Sequence, residues 1–265
     1  MGSLLVTNDD GIDSPALLPL LRALAPIAPL RAIVPSRERS WISKAITRWG
    51  EVVLQRVERE GFEICSVDGF PADCTNLGVH SLFDGPPDMV VSGINIGLNT
   101  GLGFFLSSGT VGAASEAWIA GIPAIALSVG VPWSDRAWKS ELARHTAEGL
   151  WERAAELAAD LVRCVREVGY PRGVDLLNVN FPLEASVETP RLVTDLAAIG
   201  YEGLFREERP GVYVHDFSGR LRGDSRTEGT DLVAVEQGCV SITPVRLAHT
   251  ASLDDSVRRA LERNG

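Results

Sequence analysis

Short apolar runs alternate with longer segments of helical period along most of the chain. Residues 3–7 form a buried-strand run that stops at the polar turn Asn8-Asp9-Asp10-Gly11, and Pro15 opens an apolar-periodic helix reaching about Ala25. Arg31-Ala32-Ile33-Val34 reads as a second strand, stopped by Pro35. Glu51 to Val57 and Phe62 to Val67 read as a strand pair turning at Glu60-Gly61, followed by a helix over Ala72 to Leu82. Asp88 to Ser92 is another buried strand, and a glycine-rich loop from Gly93 to Gly109 leads into a helix over Thr110 to Ala120. A strand over Pro123 to Val129, a long Ala/Leu/Arg helical pattern over 136–168 and a strand over Leu176 to Asn180 complete the series. Such alternation predicts an α/β fold with a mostly parallel sheet covered on both faces.

The texture changes after residue 183. Polar segments punctuated by Gly200, Gly211, Gly219, Gly223 and Gly229 predict hairpins and extended arms. A strand over Cys239 to Thr243 and a helix over Ser252 to Arg263 close the chain. The expected organisation is an α/β core over 1–183 and an elaborated C-terminal region over 184–265.

Composition narrows the function classes. Of 265 residues, 45% are hydrophobic, enough for a full core. There are 35 acidic against 25 basic residues, a net charge of −10, which argues against a partner made of nucleic-acid polymer. The N-terminus lacks a charged leader, and no apolar run approaches the roughly 18 residues of a membrane span. Cys65, Cys74, Cys164 and Cys239 stand singly in apolar contexts, without a CxxC pair, and read as reduced core thiols. These features predict a cytoplasmic protein with no membrane partner.

Three polar clusters follow predicted strands and should converge beyond their carboxyl ends. In the first, Asp9 and Asp10 are adjacent carboxylates that repel unless a cation or protons neutralise them. They are either ligands for a hard ion such as Mg²⁺ or Mn²⁺, or one of them caps the next helix. In the second, Pro35-Ser36-Arg37-Glu38-Arg39-Ser40 with Ser43 and Thr47, Ser40 offers a neutral oxygen and the arginines offer phosphate contacts. An ordinary polar loop is the alternative. The third runs from Ser92 to Gly103, where glycines bring backbone N–H groups close to a ligand and Asn95 offers an amide oxygen. It ends at Ser108-Gly109-Thr110, a helix start that either binds phosphate or is simply capped by its serine. There is no Walker lysine, no GxSxG elbow, no dinucleotide fingerprint and no HExxH pair among His80, His145, His215 and His249.

Seven segments in order resemble the stationary-phase survival protein SurE family of metal-dependent 5′-nucleotidases. They are Thr7-to-Ile12, Pro35-to-Ser40 with Ser43 and Thr47, Gly69-to-Cys74, Ser92-to-Gly101, Ser108-to-Val111, Leu177-to-Pro182, and Thr230-Asp231 with Val240-to-Pro244. The resemblance implies a Rossmann-like three-layer core and a C-terminal hairpin and helix extension exchanged between subunits, giving homodimers or homotetramers. It implies one divalent ion (Mg²⁺ or Mn²⁺, with Co²⁺ a further candidate) held by Asp9, Asp10, Ser40 and Asn95. Asp9 and Asp10 would also be catalytic, while Asn8, Asn99, Ser108, Gly109 and Thr110 are the candidate phosphate and substrate contacts. The implied reaction is hydrolysis of nucleoside 5′-monophosphates, with short polyphosphate as a further substrate. Three positions depart from the family pattern: Trp41 in place of a small residue, often Gly; Ala16 in place of Gly; and Ser107 in place of Tyr. Trp41 and Ser107 keep open a second reading, a nucleotide- or phosphate-binding regulatory protein with little or no turnover.

Overall fold

The computed structural model describes residues 2–130, 149–217, 220–223 and 227–262. Its strands are β1 (Leu4–Thr7), β2 (Leu30–Pro35), β3 (Leu54–Arg59), β4 (Phe62–Val67), β5 (Met89–Ile96), β6 (Ala124–Gly130), β7 (Leu176–Pro182), β8 (Arg191–Val193), β9 (Gly200–Tyr201), β10 (Phe205–Arg209), β11 (Val212–His215), β12 (Leu221–Arg222) and β13 (Val240–Val245). The helices are α1 (Leu17–Leu24), α2 (Pro71–His80), α3 (Leu102–Ser107), α4 (Gly109–Ile119), α5 (Leu150–Val168), α6 (Asp231–Glu236) and α7 (Asp255–Leu261).

Nine strands form one sheet in the order β3-β4-β2-β1-β5-β6-β7-β13-β8. The six from β4 to β7 run parallel, whereas β3 is antiparallel to β4 and β13 is antiparallel to β7. The central strands are near-continuous apolar runs because helices cover both faces. Successive residues point to opposite sides. Leu4, Val6, Val91 and Leu127 therefore pack with α1 and α5, while Leu5, Val90, Ala124 and Ala126 pack with α2 and α4. Helix α5 shows the cause plainly: Leu150, Trp151, Ala154, Ala155, Leu157, Ala158, Leu161 and Val162 form its buried stripe, and its charges face outward. The result is the expected three-layer α/β core.

Two expectations shift. The strand after Asp88 does not end at Ser92. It continues to Ile96, because pairing with β6 resumes after an irregularity, Asn95 opposite Ser128 and Ile96 opposite Val129. The expected loop over 93–109 also contains α3, whose Phe104 and Phe105 are buried. The first part of the helical pattern over 136–168 lies outside the described residues; its second part is α5.

Connectivity locates the ligand crevice. From β1 the chain winds through β2 to β4 on one side, and from β5 through β6 to β7 on the other. The order reverses between β1 and β5, and the carboxyl ends flanking such a reversal are where open α/β sheets bind ligands. Asp9-Asp10 follows β1, and Asn95 lies at the end of β5.

Candidate active site

The chain leaves β1 in a turn closed by Asn8. Its amide donates to Gly11 O (3.1 Å) and accepts from Gly11 N (3.0 Å), so this fully buried side chain shapes the turn that presents the two aspartates. A side chain at Gly11 would strike the backbone of Arg37, its Cβ lying 2.7 Å from the carbonyl carbon. The loop after β2 thus lies directly against the turn, and Arg39 N donates to Asp9 O at 2.7 Å.

Asp9 is 2% exposed and accepts from Thr110 Oγ1 at 2.5 Å, at the start of α4. Gly109 permits this approach: a Cβ there would lie 2.8 Å from Asp9 Cβ and 3.0 Å from Arg39 O. Ser108 caps α4, accepting from Val111 N at 3.1 Å. The helix start that the sequence offers to phosphate therefore already holds one anion of its own, the Asp9 carboxylate. Gly109 occupies the first helical position, where the N–H has no intrahelical acceptor.

Asp10 is fixed from the other side of the crevice, accepting from Ile96 N at 3.0 Å. Asn95, next to it on β5, donates through Nδ2 to Gly97 O at 2.7 Å, which turns its amide oxygen the other way. Asp9, Asp10 and Asn95 are thereby gathered at the reversal in strand order. Ser40 lies on the exposed rim of the loop tethered to Asp9 and donates to Glu38 Oε1 at 2.7 Å. Asn99 is buried behind the crevice: its N–H donates to Asn180 Oδ1 (2.8 Å) and its amide to Ser128 Oγ (2.8 Å), tying the glycine-rich loop to β6 and β7.

Burial disfavours negative charge at Asp9. Burial pushes Asp9's carboxyl from 3.8 up to about 6; Glu38 adds to the rise, and the Thr110 hydrogen bonds oppose it. Two of the loop's bases pair elsewhere, Arg39 with Asp68 and Gly69 O, and Lys44 with the buried Glu116. Among the described residues no group of three or more His, Cys, Asp or Glu side chains is arranged to hold a metal. An ion here would take two carboxylates completed by the neutral oxygens of Ser40 and Asn95. That all-oxygen set around a destabilised carboxylate fits a hard divalent cation.

Glu38 is the acid that sequence reasoning did not single out, although it stands two residues from Ser40. Tyr201 is not singled out by the sequence and His215 enters there only as lacking a metal-binding spacing, since only the fold brings the arm residues to this loop. The structure adds that Cys65 and Cys74 are buried core thiols, as expected, whereas Cys164 is exposed on α5.

A family model described as Survival protein SurE matches residues 4–202. The chain belongs to the SurE family. It is 36% identical over 263 residues to the 5′-nucleotidase SurE of Methanothrix thermoacetophila, covering 96% of each chain. It is 41% identical over 254 residues to 5′-nucleotidase SurE 1 of Thermus thermophilus, covering 94% of this chain and 93% of that one. The crystal structure of the SurE protein from Aquifex aeolicus superposes with a TM-score of 0.73 at 30% identity, over 98% of both chains. On this SurE chain, no helix among the described residues is long and apolar enough to cross a membrane.

Proposed function

We propose that the chain is a metal-dependent 5′-nucleotidase that hydrolyses nucleoside 5′-monophosphates to nucleoside and phosphate, and cleaves short polyphosphate as a further substrate. The observation that carries this reading is the convergence of Asp9, Asp10 and Asn95 at the strand-order reversal, in a chain 36% and 41% identical to proteins named 5′-nucleotidases. One Mg²⁺ or Mn²⁺, with Co²⁺ as a substitute, would be held by Asp9, Asp10, Ser40 and Asn95. Such an ion supplies Lewis acidity toward a phosphoryl oxygen and lowers the pKa of water.

The chain's own groups then have distinct tasks. Thr110 holds the Asp9 carboxylate in place, and Ile96 N–H does the same for Asp10. Ser40 gives its only hydrogen to Glu38, leaving its lone pairs for a ligand. The Gly109 N–H and the positive end of α4 are the phosphate contacts this reading favours. Asn8 and Asn99 act on the substrate through the turn and loop that they brace.

The same reading makes the protein a cytoplasmic homodimer or homotetramer. In support, the β10–β11 arm exposes Phe205 and Tyr213, and no residue of α7 is buried within its own chain.

The test is phosphate release from nucleoside 5′-monophosphates and tripolyphosphate in Mg²⁺, Mn²⁺ or Co²⁺, before and after EDTA, with the wild type and Asp9→Asn. Activity restored by added metal and lost in Asp9→Asn is the expected result. Undiminished release under EDTA and in the variant would overturn the metal mechanism. Tight nucleotide binding without release would favour the regulatory reading.

A further inference from the structure

Residues 39–43 cross the mouth of the site. Arg39 is bonded to Asp9, and Ser43 N donates to Ser107 O at 2.9 Å, so the segment spans from the aspartates to the start of α4. In the middle sits Trp41, with φ of 58°, a left-handed conformation that bulky residues seldom adopt and glycine adopts freely. A tryptophan in this conformation must be held by something else.

What holds it is a cluster of rings. The indole centroid lies 5.8 Å from Phe104, 5.1 Å from Tyr201, 5.0 Å from His215 and 6.0 Å from Phe217. The interplanar angles run from 53° to 69°, so each neighbour meets the indole edge-on or tilted and none of these four stacks flat upon it. Trp41 is also 37% exposed. Tyr201 closes the side toward α4. Ser107 spends its hydrogen on Gly103 O (2.8 Å), so Tyr201 donates its own to Ser107 Oγ (2.7 Å). A partly exposed indole ringed by four aromatic side chains therefore stands one residue from Ser40 and beside the α4 start.

We propose that Trp41, framed by Phe104, Tyr201, His215 and Phe217, is the specificity-determining nucleobase subsite: a purine stacks on the indole while its 5′-phosphate lies at Asp9, Asp10 and α4. This rests on the nucleotidase reading and adds the group that distinguishes a nucleotide from a plain sugar phosphate. Flat stacking on an aromatic side chain is sequence-tolerant and favours the larger ring system.

The experiment compares kcat/KM for adenosine 5′-monophosphate with that for ribose 5-phosphate in the wild type, Trp41→Ala and Trp41→Phe. The expected result is a nucleotide-to-sugar-phosphate ratio lower by on the order of 10-fold or more in Trp41→Ala. The loss should be carried by KM, and Trp41→Phe should retain most of the preference. Equal losses on both substrates would overturn the subsite and leave Trp41 a brace for the loop. In parallel, adenosine 5′-monophosphate should quench tryptophan fluorescence in the wild type and much less in Trp41→Phe. Identical quenching would likewise overturn the proposal. If the wild type released phosphate from neither ester, the nucleotidase reading would fall while the fluorescence titration still decided the subsite.

Discussion

Thr110 never needs to touch substrate to matter. Its hydroxyl is 101 residues from Asp9 in sequence and 2.5 Å from it in space, and it supports a carboxylate that burial disfavours. Groups that orient a metal's carboxylate ligands typically change metal affinity or activity by about 10–100-fold when removed. Thr110→Val keeps the shape and deletes the donor, so Mn²⁺ affinity and phosphate release should each fall within about that range. Thr110→Ser should restore most of both. Calorimetric titration with Mn²⁺ alongside a phosphate assay checks this. Unchanged Mn²⁺ binding in the valine variant would reduce Thr110 to a packing residue. Ser40, on the loop that packs against the same helix start, is held by a side chain too, its hydroxyl donating to Glu38.

Between elements, the decisive tie is Asp231 at the start of α6. Its carboxylate accepts from Gly101 N (2.8 Å), Ala197 N (3.0 Å) and Leu232 N (2.8 Å), so one buried side chain joins the glycine-rich loop, the segment after β8 and α6. Burial raises its pKa above 3.8, and the three donors pull it partway back. A raised carboxyl pKa means the native state holds its proton more firmly than the unfolded chain does. The associated stability is complete below the unfolded value and is lost as pH climbs through the folded one. Asp231→Asn has no such titration, but it sets an amide NH₂ against Gly101 N–H, and a buried donor left unpaired costs about 1–3 kcal/mol. The variant should be less stable in urea at every pH, with the gap to wild type widest near pH 4 and narrowing toward neutrality. A gap that does not vary with pH would refute the linkage. The Thr230-Asp231 motif was visible in the sequence; its job as a tie was not, because its partners come from positions 101 and 197. The same contrast runs through the fold. Leu4–Val6 and Met89–Val91 announced themselves as strand segments because both faces are covered and these residues are wholly apolar. Asn95 and Ile96 did not, since polar and glycine residues join a strand only when a neighbour such as β6 supplies the pairing. Asp9 and Asp10 follow β1 as the sequence implied, whereas Asn95 lies within β5. The hydrogen bonds that aim them depend on contacts no local pattern encodes.

At the scale of the whole molecule, α7 poses the sharpest question. It has seven residues and buries none of them, while Leu253, Val257 and Leu261 are 49%, 44% and 68% exposed. Isolated helices shorter than about 12–15 residues are marginal in water, and most helical stability comes from packing an apolar face. A seven-residue helix that buries no residue against the described part of its own chain therefore calls for a surface from elsewhere. The exposed rings Phe205 and Tyr213 on the β10–β11 arm add to the apolar surface that a second copy would cover. The net charge of −10 opposes close approach of two copies, so apolar burial must outweigh the repulsion, and raising salt should tighten the association. The expected result from light scattering on the full chain is a mass at least twice 28.5 kDa. Removal of residues 251–265 should shift the population toward the monomer, more so at low ionic strength. The nine-stranded sheet and the Asp9–Thr110 contact lie entirely within the retained residues, so the truncated chain should keep its fold and its affinity for Mn²⁺. A truncated chain that stays fully assembled would remove α7 from the interface and leave the β10–β11 arm to account for it. A full-length monomer at micromolar concentration would remove both.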